Sequence, residues 1–281
     1  MIADALQSIA DLFSAKTFLL LFAVFVPLER LFAMHHEQRT FRAHWFNDMV
    51  YFFVNGLVVR FGNLALVSAF VLASTYTIPA SFKTMVETAP LWLQVPILIA
   101  IADLIFYSVH RLFHTVPFLW RIHAVHHSIE ELDWLAAHRV HPIDQILTKG
   151  SSLIPAFCLG FSVEAITIHM VIYHWQSLLV HSNVKLPVGP LRWLVVSPEF
   201  HHWHHSNHRE AYDKNFAGQL AFWDVLFGTA HMTNGQVPEK YGIDEPMPKN
   251  YLKQLVHPFA PPPTAQDENS AKAIEQPASA K

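Results

Sequence analysis

Two blocks of the chain carry most of its 20 histidines. The first runs from Asp103 to Asp144 and holds His110, His114, His123, His126, His127, His138 and His141. The second holds His201, His202, His204, His205 and His208. Neutral imidazole is the commonest protein metal ligand, so clustering at ligand spacing makes metal binding the first hypothesis. His110 and His114 form His-x-x-x-His. His123, His126 and His127 form His-x-x-His-His, as do His201, His204 and His205. Residues three or four apart share a helix face, so each triplet can aim two or three ring nitrogens at one spot. The pair and the triplets supply more ligands than the four of a structural zinc, which points to two metals.

The elements that must position these side chains are apolar. Hydrophobic residues make up 52% of the chain and charged residues 15%, with a mean hydropathy of +0.24. That is too apolar for an ordinary soluble domain. A formal charge of −3 gives no case for nucleic-acid binding. Cys158 is the single cysteine, so no disulfide can form within the chain and thiolate ligation is not expected.

Four apolar stretches read as membrane helices or helix hairpins. Residues 17–32 form a short span with Pro27 and Glu29, whose inner end is expected at the interface. Residues 45–76 would run roughly 45 Å as one helix, against about 30 Å of hydrocarbon. They carry Asn55, Arg60 and Asn63, so a tilt, a break near Gly62 or an interfacial first turn is expected. Residues 91–109 form the third, and 148–180, broken by Pro155 and Gly160, a re-entrant hairpin. Both histidine blocks then lie on one side of the membrane. The expected fold is all-α, a multi-pass membrane bundle with a histidine-rich helical cap. Arg30, Arg39, Arg42, Arg111, Arg121, Arg139, Lys185, Arg192 and Arg209 fall on the histidine side and only Lys16 and Lys83 opposite. The positive-inside rule places the cap in the cytoplasm. The domains read as N-terminal membrane helices over 1–90, a catalytic unit over 91–259 and a disordered tail over 260–281.

Asp103, Tyr107, His110 and His114 form one helical stripe, which suggests that Asp103 orients a ligating imidazole. His181, at the exit of the fourth stretch, is well placed as a further ligand. His169 reads as a packed core histidine, His174 stays open, and His35, His36 and His44 read as surface residues.

All-nitrogen ligation suits zinc, iron, manganese or copper, and affinity order alone does not choose. A hydrolytic zinc site keeps a general-base carboxylate nearby. The pair in HHEQR at 35–39 lacks the second histidine of His-Glu-x-x-His, and there is no Gly-x-Ser-x-Gly. Oxygen activation by two irons beside a lipid channel fits better.

Six elements in order resemble the fatty acid hydroxylase/sterol desaturase superfamily: HRLFH at 110–114, LWRIHAVHHS at 119–128, RVHP at 139–142, HSN at 181–183, SPEFHHWHHS at 197–206, and the run from Asp213 to Thr229. The resemblance covers roughly residues 96–259. It implies an integral-membrane, non-haem di-iron oxygenase that hydroxylates or desaturates a lipid with O2 and external electrons, in a bacterial inner membrane or the endoplasmic reticulum. It implies His110, His114, His123, His126, His127, His201, His204 and His205 as iron ligands, with His181 between the triplets. His202 stands where the family often has arginine and reads as a neighbour of the site. His138 is an extra histidine, and His141 either orients the site or ends a helix before Pro142. Asp213, Asn215, Trp223 and Asp224 are implied as supports of the second triplet. No His-Pro-Gly-Gly haem motif is present, so a separate cytochrome- or ferredoxin-type donor is expected. Zinc is a possible substitute in purified protein. The competing readings are a zinc-dependent membrane hydrolase and a non-enzymatic metal-binding membrane protein.

Overall fold

The computed structural model of the chain describes residues 14–233 and 235–261; the expected tail falls almost wholly outside them. The described residues are helical, with two isolated β-bridges, Ala33 to Val184 and Ser206 to Tyr241, and no strand.

Helix α1 (Ala15–Leu31) begins at Ser14, whose hydroxyl accepts the Thr17 N–H. Near its end Glu29 is buried. Its Oε1 accepts the backbone N–H groups of Trp134 and Asn183 at 2.8 and 3.1 Å. The carboxylate thereby ties the α1 end to loops from both halves of the chain.

Helix α2 (Trp45–Thr77) is unbroken over 33 residues, about 50 Å at 1.5 Å per residue. Of the alternatives, a break near Gly62 is absent. The irregularity lies earlier, in a π-helical turn at Tyr51–Asn55. That turn faces Asn55 inward, where its amide donates to the Val140 carbonyl and its oxygen accepts from the Tyr251 hydroxyl. Gly62 serves packing instead: a Cβ there would meet the Ile146 side chain at 2.2 Å.

After the short α3 (Ala80–Glu87), α4 (Leu91–Thr115) runs six residues past the expected end at 109. Its buried stripe is Gln94, Leu98, Ala102, Asp103, Tyr107, His110 and Phe113. Val116 is extended because Pro117 follows it, and Pro117 opens α5 (Pro117–His127). Pro142–Gln145, a π-helical turn at Ile146–Gly150 and Ser151–Cys158 run on as one rod, α6. Helix α7 (Val163–His181) follows and packs on α4 and on the Pro198–His204 helix. The turn between α6 and α7 needs Gly160 at φ +86°, pressed against the Lys83 backbone. The reversal falls at the Gly160 that interrupts the fourth apolar stretch. Short helices α8 (Pro198–His204), α9 (Phe222–Phe227) and α10 (Tyr251–Val256) complete the chain.

Two helices, α2 and α4, are long and apolar enough to cross a membrane, and only 22% and 28% of their most apolar windows are buried. Leu57, Phe61, Leu72 and Trp92 project outward from them. Two spans, where the sequence suggested about four, meet that length and hydropathy test among the described residues.

Candidate metal centre

Nine histidines converge where α4, α5, α7 and α8 meet. They form two groups, and within each the ring nitrogens lie within 4.8 Å of one another. His110 and His114 of α4, His123 and His127 of α5 and His204 of α8 make the first. His126 of α5, His181 of α7, and His201 and His205 at α8 make the second. Each triplet therefore divides. Its i, i+4 pair serves one group, and the remaining histidine, offset by about 60° and 100° from the two, serves the other. Every sequence-selected ligand candidate is in one group or the other.

The outer nitrogens of five rings face oxygen acceptors. His110 Nδ1 donates to the Phe216 carbonyl at 2.6 Å, His126 Nδ1 to Arg139 at 3.0 Å, and His181 Nδ1 to Ser177 at 2.7 Å. His204 Nδ1 donates to Lys214 at 2.8 Å, and His123 Nδ1 to Asp144 Oδ2 at 2.6 Å. A ring that donates from Nδ1 carries a bare lone pair on Nε2. Those Nε2 atoms face one another: His110 to His123 at 3.0 Å and His126 to His181 at 3.2 Å. Two lone pairs cannot hydrogen-bond; a cation between them satisfies both. With metal–nitrogen bonds of about 2.1 Å, ligands at right angles sit about 3.0 Å apart, so the donor set fits metal ions.

The charge state suits the same role. His126, His127, His201, His204 and His205 are held well below the usual imidazole range by burial and by one another. They are neutral at neutral pH, the form that binds metal.

The supporting contacts revise several expectations. Asp103 touches no histidine. Its carboxylate accepts the N–H groups of Gly218, Gln219 and Leu220 at 2.7–2.9 Å, and so fixes the loop whose Phe216 carbonyl holds His110. The carboxylate that does meet a ring is Asp144. Sequence reading passed over it, although His-Pro-x-Asp closes the first histidine block. Asp224 accepts from Phe216, Ala217 and Thr229 in the same loop. Asn215, at φ +60°, clamps it to Phe200 and His231. Asp213 sits at φ +54°, and its Oδ1 lies 3.5 Å from His114 Nδ1. Trp223 packs on that loop's core.

His138, His141, His174 and His202 belong to neither group. His138 lies edge-on to Phe52. His141 caps α6 by accepting the Ile143 N–H, and its other nitrogen donates to the Leu255 carbonyl. His202 spans the Tyr241 hydroxyl and the Ser182 carbonyl, and burial lowers it to about 3. The same Tyr241 hydroxyl bonds His35 at 2.7 Å, so His35 is part of the support and not a surface residue. Arg42 and Arg139, counted above among the charges on the histidine side, are buried against Asp48, with Arg42 also on Asp133 at 2.7 Å. Their network braces the 133–140 segment that holds His126. A cavity of about 370 Å³ opens onto His114, His127 and His204, with Trp120, Tyr212 and Asp213 in its wall.

Residues 95–229, which include all nine convergent histidines, match the family model described as fatty acid hydroxylase. Over that span the chain belongs to the fatty acid hydroxylase family. Among its relatives is an ornithine lipid hydroxylase of Rhizobium tropici, 33% identical over 61% of this chain and 52% of that protein. The human alkylglycerol monooxygenase is 32% identical over 52% of this chain and 32% of its own length. A very-long-chain aldehyde decarbonylase of Oryza sativa subsp. indica is 28% identical over 48% and 52%. The chain thus spans about half or less of the length of these relatives. No solved structure matches. The fatty acid hydroxylase segment contains Asp103, Asp144 and Asp224 as well, so the family match covers the supports along with the histidines.

Proposed function

We propose that the chain is a multi-pass membrane oxygenase that hydroxylates an unactivated C–H position of a lipid at a pair of irons. The observation that carries this reading is the pair of buried, all-nitrogen histidine groups in a chain whose relatives are named as lipid hydroxylases and monooxygenases. Two irons held there would supply reductive activation of O2. One oxygen atom enters the C–H bond, and the other leaves as water after two electrons and two protons arrive from outside.

The chain's own residues do the positioning. His110, His114, His123, His127 and His204 would hold one metal, and His126, His181, His201 and His205 the other. Asp144 and the carbonyls of Phe216, Arg139, Ser177 and Lys214 fix the tautomers. Burial excludes water from the rings, while the 370 Å³ cavity gives access from one side. The exposed apolar faces of α2 and α4 supply the lipid contact. The basic residues that accompany the histidine blocks support a cytoplasmic site, served by a separate electron-donor protein.

Elemental analysis tests this reading. Protein purified in detergent from iron-replete cells should contain about two irons per chain, and a His126→Ala, His204→Ala variant should lose them. Zinc alone, with no oxygen uptake after ferrous reconstitution and reduction, would overturn the oxygenase and favour a hydrolase.

A further inference from the structure

A second cavity, of about 100 Å³, lies among α2, α6 and α7, away from the 370 Å³ opening. Its walls include Asn63, Gln145, Lys149, His169, Tyr173 and His174. Lys149 has no salt bridge and no side-chain hydrogen bond among the described residues; its ammonium lies 6.0 Å from the centre of the Tyr173 ring. Asp144, whose field reaches Lys149, is already bonded by His123 and Thr148. Asn63 Oδ1, His169 Nδ1 and His174 Nε2 are buried without a hydrogen-bond partner. No carboxylate lines the cavity. A cation in an apolar bundle is costly unless an anion meets it.

The cavity also adjoins the metal centre. The Tyr173 ring packs on Phe106 at 6.2 Å, and Phe106 packs on the His110 ring at 5.2 Å. One aromatic layer therefore separates Lys149's pocket from a histidine of the first group.

We propose that this pocket binds the anionic oxygen of the lipid substrate, a carboxylate or a phosphate, with Lys149 as its cationic partner and the His169 and His174 rings as hydrogen-bonding neighbours. The inference rests on the oxygenase reading for the word substrate, and on the pocket alone for the anion. It selects acidic amphiphiles over neutral ones and places oxidation near the acidic end of the molecule.

Binding to the full purified chain in nonionic detergent, read by tryptophan fluorescence, tests it with palmitate, hexadecyl phosphate and hexadecanol. A charge-assisted contact is worth about 1.5–3 kcal/mol, so at least one acidic probe should bind about 10- to 100-fold more tightly than the alcohol. Lys149→Met should remove that preference and leave hexadecanol binding unchanged. Equal binding of all three probes to the unaltered chain overturns the pocket, without recourse to any variant. So does a preference that survives in Lys149→Met. Iron-loaded, reduced protein should convert the preferred acidic probe. An acidic probe that binds but stays intact, while hexadecanol is oxidised, marks a resident anionic lipid and overturns the substrate assignment. Absence of iron and of oxygen uptake counts against the oxygenase reading; the affinity comparison, which needs no turnover, still decides the pocket.

Discussion

The Nδ1 atom of His123 lies 2.6 Å from Oδ2 of Asp144, with both side chains buried. It is the one histidine–carboxylate contact under 3 Å among the described residues of the centre. A carboxylate in that place fixes the ring and raises its basicity as a ligand. Asp144→Ala should lower metal affinity or turnover about 10- to 100-fold. Iron content and oxygen uptake of the purified variant measure this. Unchanged values for both would remove Asp144 from the site.

His126 and His127 are chain neighbours, yet each ring joins a different group. His126→Ala strips one ligand from the four-histidine group; His127→Ala strips one from the five-histidine group. Each single variant should retain about one of two metals. Metal titration of each resolves the pair. Complete loss in both, with the fold intact, would point to a single shared site.

His202 and His141 should behave as scaffold. Tyr241→Phe leaves the buried His202 Nδ1 without its partner, a cost of about 1–3 kcal/mol. His141→Ala removes a helix cap, worth about 0.5–2 kcal/mol. Thermal unfolding should shift downward in both variants while iron stoichiometry holds. Metal loss at an unchanged melting temperature would make either residue a ligand.

Acid should destabilise the metal-free protein. His126, His127, His201, His204 and His205 have folded pKa values well below 6.5. Below pH 6.5 the unfolded chain takes up protons that the folded chain refuses, so stability falls as pH falls. Each such histidine contributes up to about 1.4 kcal/mol per pH unit over that window. The melting temperature of chelator-treated protein should be flat above pH 7 and drop between pH 6.5 and 5. A flat profile through pH 5 would mean that these rings are solvated.

Gly160 turns α6 back into α7 at φ +86°, where a Cβ would press on the Lys83 backbone at about 2.8 Å. Gly160→Ala should cost at least about 1 kcal/mol, seen as earlier thermal unfolding. An unchanged melting temperature would show that the hairpin turn relaxes freely.

The sequence by itself picked out the nine histidines that converge in the structure. The i, i+4 spacings in HRLFH, HAVHH and HHWHH are local, and helical periodicity alone brings those rings to one face. His181 was readable from its place at the end of an apolar stretch. The helix reversal at Gly160 was readable too, because that glycine interrupts the apolar run. Only the tertiary structure decided how each triplet divides between two groups, since that depends on where α4 and α7 cross α5 and α8. It also decided the supports. Asp103 and Asp144 bound the first histidine block in the sequence. Asp103, on the same helical stripe as His110, reaches backbone N–H groups of a loop 115 residues away, while Asp144, 21 residues beyond His123, reaches its ring. Arg42, Arg139 and Glu29 are buried against partners that distant segments bring to them, among them Asp133, Asp48 and the Trp134 and Asn183 N–H groups. Helical spacing is fixed by covalent geometry, whereas second contacts arise from packing, and packing exists only once the chain is folded.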